Sequence, residues 1–303
     1  MHVPAEVLPV VWLDGAYVFS ESARVSVFDR GFLMADGAFE TMHVKAGAIL
    51  GLDAHAARLW RAADFLGIAP PWDLSGFRRG LVGLLDRNDR ARVDAPEAAL
   101  RVTLSRGATP SGPPTVVGFL RAVGAGHALR RRDGIRLHTL PFAGRGSAEI
   151  ARHKTLSYLP SALGSVWLAG RTDDPRAEGL FVSEQGEVLE GMATNVAIIE
   201  RGRLFTPPIA SGILPGTARD LVLRLAADLG LAPSESPISR ARLVGADEVL
   251  AMASTQHVAP VVSLDDEPVG GGRPGPHTAA ISGAFEAAVT DEIRRWHEGP
   301  ERG

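Results

Sequence analysis

The stretch Glu187-Val188-Leu189-Glu190-Gly191-Met192-Ala193-Thr194-Asn195-Val196 ends one β-like run on a carboxylate, Glu190, and opens a second at Thr194. The small residues between the runs allow close approach. Upstream, Leu180 to Leu189 folds back around Glu184-Gln185-Gly186. Downstream, Thr194 to Phe205 turns at Arg201-Gly202. The spacing then becomes helical. Ala218, Leu221, Val222, Leu225 and Leu229 share one face of a helix from Thr217 to Leu229, which Gly230 ends. The run Gly212-Ile213-Leu214-Pro215-Gly216-Thr217-Ala218-Arg219 opens it.

Outward from this stretch, strands and helices alternate. Ile135 to Thr139 reads as a strand, and a helix is expected from about Leu159 to Gly170, with Pro160 in its first turn. Val249 to Ala253 reads as a buried strand and His257 to Val269 as β with turns. A flexible loop, Gly270 to Pro276, precedes a last helix from Ala279 to Trp296 and a polar tail. In the first half, Asp14-Gly15 marks a hairpin between Val10-Leu13 and Ala16-Phe19. A second hairpin, Phe39 to Leu52, turns at Ala46-Gly47. Asp53 is positioned to cap a helix carrying Leu59, Ala62, Ala63 and Leu66, and another helix fits Ser75 to Arg87. Leu100-Leu104 and Val116-Leu120 read as strands. The expected fold class is α+β to α/β in two domains: a smaller one over 1–122, a linker over 123–130, and a larger one over 131–303.

Composition narrows the function. The net charge is -3, which gives no reason to expect nucleic acid or an anionic membrane as partner. The basic run Arg130-Arg131-Arg132 reads as a solvated linker. No segment approaches the roughly 20 apolar residues that span a bilayer. The sequence has no cysteine, which excludes disulfides and thiolate chemistry and is compatible with a cytoplasmic protein. The histidines show no metal-ligand spacing, so no metal site is expected.

Two lysines, Lys45 and Lys154, stand against thirty arginines. Arg stays protonated, whereas a Lys amine can lose its proton and attack a carbonyl. Lys45 ends a strand at an exposed turn; Lys154, in Ala151-Arg152-His153-Lys154-Thr155-Leu156-Ser157-Tyr158, precedes a helical pattern. An aldehyde cofactor of the pyridoxal phosphate type needs a lysine amine, a carboxylate beside its ring nitrogen, and phosphate donors at a helix start. Lys154, Glu190, the Gly216-Thr217-Ala218 helix start and Arg58 of His55-Ala56-Ala57-Arg58-Leu59 could supply these, with Ser254-Thr255 adding hydroxyls.

On these stretches the chain resembles the class IV, fold-type IV pyridoxal phosphate enzymes, which include branched-chain and D-amino-acid aminotransferases and 4-amino-4-deoxychorismate lyase. Further matching stretches are Ser26 to Gly31, Asp36 to Glu40 and Leu100 to Gly107. The resemblance implies that Lys154 is the Schiff-base lysine and Glu190 the carboxylate facing the pyridine nitrogen. It implies that Arg58, Thr217, Ala218, Ser254 and Thr255 bind the phosphate and that Tyr158 approaches the ring hydroxyl. It also implies a homodimer.

Two departures bear on the substrate. The loop Ala108 to Pro114 lacks the arginine with which D-amino-acid enzymes and the lyases grip a carboxylate. Met42-His43 stands where a branched-chain pattern would carry an arginine. The expected activity is transamination between an amino donor and a keto-acid acceptor. The alternatives are elimination of pyruvate by a lyase on the same site and a non-catalytic protein on the same fold.

Overall fold

The structure is a computed structural model and describes residues 3–89, 97–144 and 146–299. The end of the polar tail, residues 300–303, lies outside the described residues. The chain forms two compact units. Unit 1 takes residues 1–123, 153–157 and 289–303; unit 2 takes 124–152 and 158–288. The short segment that carries Lys154 therefore belongs to unit 1, although the chain on both sides of it belongs to unit 2.

Unit 1 is built on an antiparallel sheet of β1 (Val7–Leu13), β2 (Ala16–Phe19), β3 (Gly37–Lys45), β4 (Ala48–Ile49), β5 (Glu97–Ser105) and β6 (Thr115–Ala122). The strand order is β2-β1-β6-β5-β3-β4. Both expected hairpins form. Asp14 and Gly15 have φ 49 and 91, and Ala46 and Gly47 have φ 47 and 77. Such paired left-handed residues match the twist of the strands they join. Helices α1 (Arg30–Met34), α2 (Leu52–Leu66) and α3 (Leu74–Arg87) accompany the sheet. Leu52, Ala56, Leu59, Ala62 and Ala63 of α2 and Phe77, Leu81, Leu84 and Leu85 of α3 are buried, as are Trp12, Met42, Leu100 and Leu120 of the sheet. Each large apolar side chain removed from water contributes about 1.5–3 kcal/mol.

The cap expected at Asp53 is a correction. Gly51, at φ 64, is the N-cap of α2 and makes no side-chain cap bond. Its N–H donates to Glu292 Oε1 at 2.7 Å, and Asp53 pairs instead with Arg78 of α3.

Unit 2 holds a mixed sheet of β7 (Ile135–Thr139), β8 (Ala177–Val182), β9 (Val188–Gly191), β10 (Asn195–Glu200), β11 (Arg203–Thr206), β12 (Ser234–Glu235), β13 (Glu248–Ala253) and β14 (His257–Leu264). Its order is β12-β11-β10-β13-β14-β7-β8-β9, with β15 (Glu267–Pro268) paired to β14. The parallel pairs are β11 with β12, β14 with β7 and β7 with β8. The helices are α4 (Gly126–Asp133), α5 (Ala148–Ala151), α6 (Leu159–Ala169), α7 (Thr217–Asp228) and α8 (Arg240–Val244); α9 (Pro276–Glu298) passes into unit 1 at residue 289. Ile135, Leu137, Leu180, Val196, Ile198, Leu243, Ala251, Ala259 and Leu264 belong to one core cluster.

Within the arginine run, Arg130 and the helical backbone are a second correction. Residues 126–133 are helical, and Arg130 donates from Nε to the Pro175 carbonyl at 2.9 Å and from Nη2 to the Ala177 carbonyl at 2.6 Å. The half-buried Arg130 satisfies backbone acceptors at the start of β8, while Arg132, 72% exposed, faces solvent as expected.

Candidate active site

In unit 1 the Lys154 segment lies along β3 as a short extra strand. Phe39 N–H donates to the Lys154 carbonyl at 2.9 Å, and Leu156 N–H donates to the Gly37 carbonyl at 2.8 Å. Ala38 and Thr155 form an antiparallel bridge. Gly37 makes this approach possible, because a Cβ there would overlap the Leu104 carbonyl and crowd Leu156 Cδ1. The half-buried Lys154 has its Nζ 4.6 Å from the centre of the Phe39 ring, and His153 stacks on Phe65 with ring centres 4.0 Å apart.

Unit 1 also holds a buried charge cluster. Glu40 of β3 accepts from Arg58 Nε at 2.7 Å and Nη2 at 2.8 Å, and its Oε2 lies 2.7 Å from His55 Nδ1. His55 and Arg58 share a face of α2, three residues apart. Burial alone would raise the Glu40 carboxyl; the charge and hydrogen bonds of Arg58, with help from His55, outweigh it and hold Glu40 far below the usual carboxylate range. His55 is pushed below its ordinary 6.5, first by burial and then by the Arg58 and Lys154 charges, which together outweigh the opposing pull of Glu40.

A lock of polar side chains explains the matching stretches around residues 29, 36 and 106. Asp29 caps α1 by accepting from Gly31 N–H, and it accepts from Ser105 Oγ at 2.8 Å. Arg30 and Arg106 both donate to Asp36 Oδ2 at 2.8 Å. Arg106 also donates to the Leu66 and Gly67 carbonyls at the end of α2. These residues fasten the ends of α2 and β5 beside the start of β3. They do structural work that sequence spacing left unassigned.

In unit 2, Glu190 near the end of β9 is 4% exposed. Its Oε2 accepts from Asn195 Nδ2 at 3.2 Å and from Leu214 N–H at 3.1 Å. Asn195 Nδ2 also donates to the Leu214 carbonyl at 2.9 Å, tying β10 to the loop before α7. Glu178, on β8, accepts from Thr194 Oγ1 at 2.9 Å and Ala193 N–H at 3.2 Å, which holds the turn that follows Glu190. A Cβ at Gly191 would overlap Thr194 Oγ1 and Glu178, so the small residue is required there.

Helix α7 starts at Thr217 after Gly216, with no side chain capping its first turn. A Cβ at Gly216 would overlap Asn195 Oδ1. Thr217 Oγ1 lies 3.2 Å from Ser254 Oγ, which begins the turn between β13 and β14 and is followed by the half-buried Thr255. Ala218 is buried in the same first turn. Helix-start N–H groups, two adjacent hydroxyls and a glycine that keeps the space open suit a phosphate group. Tyr158 is the N-cap residue of α6. Unit 1 thus brings together Lys154, Arg58, Glu40 and His55. Unit 2 brings together Glu190, Thr217, Ala218, Ser254 and Thr255. Asn195 and Glu178 are the functional neighbours that sequence reading passed over. Asn195 could have been found from its position five residues beyond Glu190 at the head of the next strand. Among the described residues no group of three His, Asp or Glu is placed to hold a metal ion, and no helix is long and apolar enough to cross a membrane.

Residues 37–264 match the family described as amino-transferase class IV. The chain is 26% identical over 291 residues to D-alanine aminotransferase of Bacillus licheniformis, covering 94% of this chain and 99% of that protein. It is 28% identical over 294 residues to aminodeoxychorismate lyase of Bacillus subtilis, covering 94% and 96%. Among solved structures, the branched-chain amino acid aminotransferase of T.th. complexed with N-(5'-phosphopyridoxyl)-L-glutamate superimposes with a TM-score of 0.81 at 27% identity, covering 97% of this chain and 96% of that one.

Proposed function

The chain belongs to the class IV aminotransferase family, a fold-type IV family of pyridoxal phosphate enzymes, and from that premise we propose the roles of its residues and the class of its substrates. It moves an amino group between an amino acid or amine and a keto acid. The supporting observation is the match over residues 37–264, a range that includes the pinned Lys154 segment, the Glu190 strand and the α7 start.

Bound pyridoxal phosphate supplies an aldehyde that takes up the donor's nitrogen and a ring that accepts the electron pair left when the adjacent carbon loses its proton. Lys154 Nζ holds the cofactor between turnovers and then moves the proton from the donor's α-carbon, as base and afterwards as acid. Glu190 keeps a negative charge beside the ring nitrogen; Asn195 and Leu214 N–H fix its direction. Thr217, Ser254, Thr255, the Ala218 turn and Arg58 bind the phosphate. Glu40 holds the Arg58 fork in one orientation. Tyr158 orients the ring hydroxyl.

A homodimer is part of this reading. Phe28, Phe32, Leu33 and Met34 of unit 1 are exposed, Phe32 by 74%. On α6, Leu159, Leu163 and Val166 make an exposed apolar stripe at helical spacing. Apolar patches of this kind mark association surfaces. A cytoplasmic setting suits a sequence with no cysteine.

The lyase reading keeps the same residues and is favoured by the equally extensive match to aminodeoxychorismate lyase. One experiment separates the two. Amino donors are added alone to the protein carrying pyridoxal phosphate, and the aminated cofactor is assayed. Its accumulation supports transamination. No accumulation, with pyruvate released from aminodeoxychorismate, supports the lyase.

A further inference from the structure

At the start of β14 the backbone takes a conformation that L-residues rarely adopt. His257 has φ 57, where its Cβ crowds the following carbonyl. Ser254, Thr255 and Gln256 form the turn between β13 and β14, and Ala253 pairs with His257 at its base. One left-handed residue closes this hairpin, and glycine takes that conformation without strain. Here the residue is a histidine, 1% exposed.

The side chain explains how the strain is held. His257 Nδ1 lies 2.5 Å from Oε1 of Glu286 on α9, a hydrogen bond in which the imidazole N–H donates to the carboxylate. The ring packs on Phe285 with centres 5.0 Å apart. On the other side of the turn, Gln256 Nε2 donates to the His127 carbonyl of α4 at 3.2 Å. The turn is thus tied to two helices. Its first residue, Ser254, sits with Oγ 3.2 Å from Thr217 Oγ1 at the start of α7.

We propose that His257 and Glu286 are positioning residues for phosphate binding. The pair keeps the 254–257 turn closed, holds Ser254 Oγ beside Thr217, and so sets the affinity for the phosphate end of the cofactor. The proposal rests on the reading that Thr217 and Ser254 receive that phosphate. A contact that merely supported the sheet would weaken every ligand alike. A contact that aims Ser254 weakens only ligands that carry a phosphate.

The test compares dissociation constants of pyridoxal phosphate and of pyridoxal, which has no phosphate, for the full chain freed of cofactor. Glu286→Leu and His257→Ala are expected to weaken pyridoxal phosphate about tenfold, the effect of one lost hydrogen bond to a charged group. Pyridoxal binding should be unchanged. His257→Gly relieves the backbone strain but removes the ring, and it should behave like His257→Ala. Equal weakening of both ligands, or no weakening in Glu286→Leu, overturns the proposal while leaving the phosphate site standing. A wild-type protein that binds pyridoxal as tightly as pyridoxal phosphate overturns the phosphate site itself, and the proposal with it.

Discussion

Both oxygens of Glu40 accept from the guanidinium of Arg58, Nε to Oε1 at 2.7 Å and Nη2 to Oε2 at 2.8 Å, and both side chains are buried. The pair therefore fixes the plane of an arginine assigned to phosphate binding. Removing one partner of such a pair leaves a buried charge alone, at a cost of about 3–5 kcal/mol. Glu40→Ala should lose stability on that scale in urea unfolding. The double change Glu40→Leu with Arg58→Met should recover most of it, because two apolar side chains need no partner. The double variant should still bind pyridoxal phosphate weakly. Full affinity there would remove Arg58 from the phosphate site.

The same cluster gives stability a direction with pH. Glu40 is held below its usual range in the folded protein, so its contribution is present above the unfolded carboxylate pKa and is lost as pH falls through the folded value. His55 is held below 6.5, so the folded state binds fewer protons than the unfolded chain at mildly acid pH. Stability then declines as pH falls below that value. Both effects point the same way. Urea midpoints should drop between about pH 7 and about pH 5, and His55→Gln should flatten that drop. A midpoint that rises on acidification would contradict the buried cluster.

Glu190→Gln keeps an acceptor for Asn195 Nδ2 and Leu214 N–H but removes the negative charge. The half-reaction with an amino donor should slow by about 10²–10³-fold, the scale of one electrostatic contact to developing charge. Cofactor affinity should change little. Stopped-flow measurement of the loaded protein reads the rate directly, and an unchanged rate would assign Glu190 a packing role only.

Gly216→Ala puts a methyl where Asn195 Oδ1 now lies. The start of α7 must shift, with a stability cost of about 1–3 kcal/mol. Pyridoxal phosphate affinity measured by fluorescence titration should fall. Unaltered affinity would place the phosphate elsewhere.

The sequence shows the fold wherever a local rule governs it. Asp14-Gly15 and Ala46-Gly47 read as hairpins because a pair of left-handed residues is a local requirement, and α7 reads clearly because its apolar residues keep helical spacing. Asp53 misleads because a cap and a salt-bridge partner look alike in sequence; the left-handed Gly51 and the nearby Arg78 decide between them. Arg130 misleads because a run of like charges resembles a solvated face, while its true partners are carbonyls 45 and 47 residues away. Lys154 and Glu190 stand out as candidates because their residue types carry the chemistry. Their supports do not stand out. Glu40 lies 18 residues from Arg58, Glu178 16 from Thr194, and Glu286 29 from His257. Only the sheet and helix packing brings these pairs together.

Covalent trapping tests the central claim most directly. With only Lys45 and Lys154 in the chain, borohydride reduction of the protein carrying pyridoxal phosphate has two side-chain outcomes to distinguish. Peptide mass mapping should find the reduced adduct on the peptide containing Lys154, and Lys154→Arg should abolish it. An adduct on Lys45 with Lys154 unmodified would contradict the account, since Lys45 Nζ is 3.4 Å from Glu97 at the far end of β3.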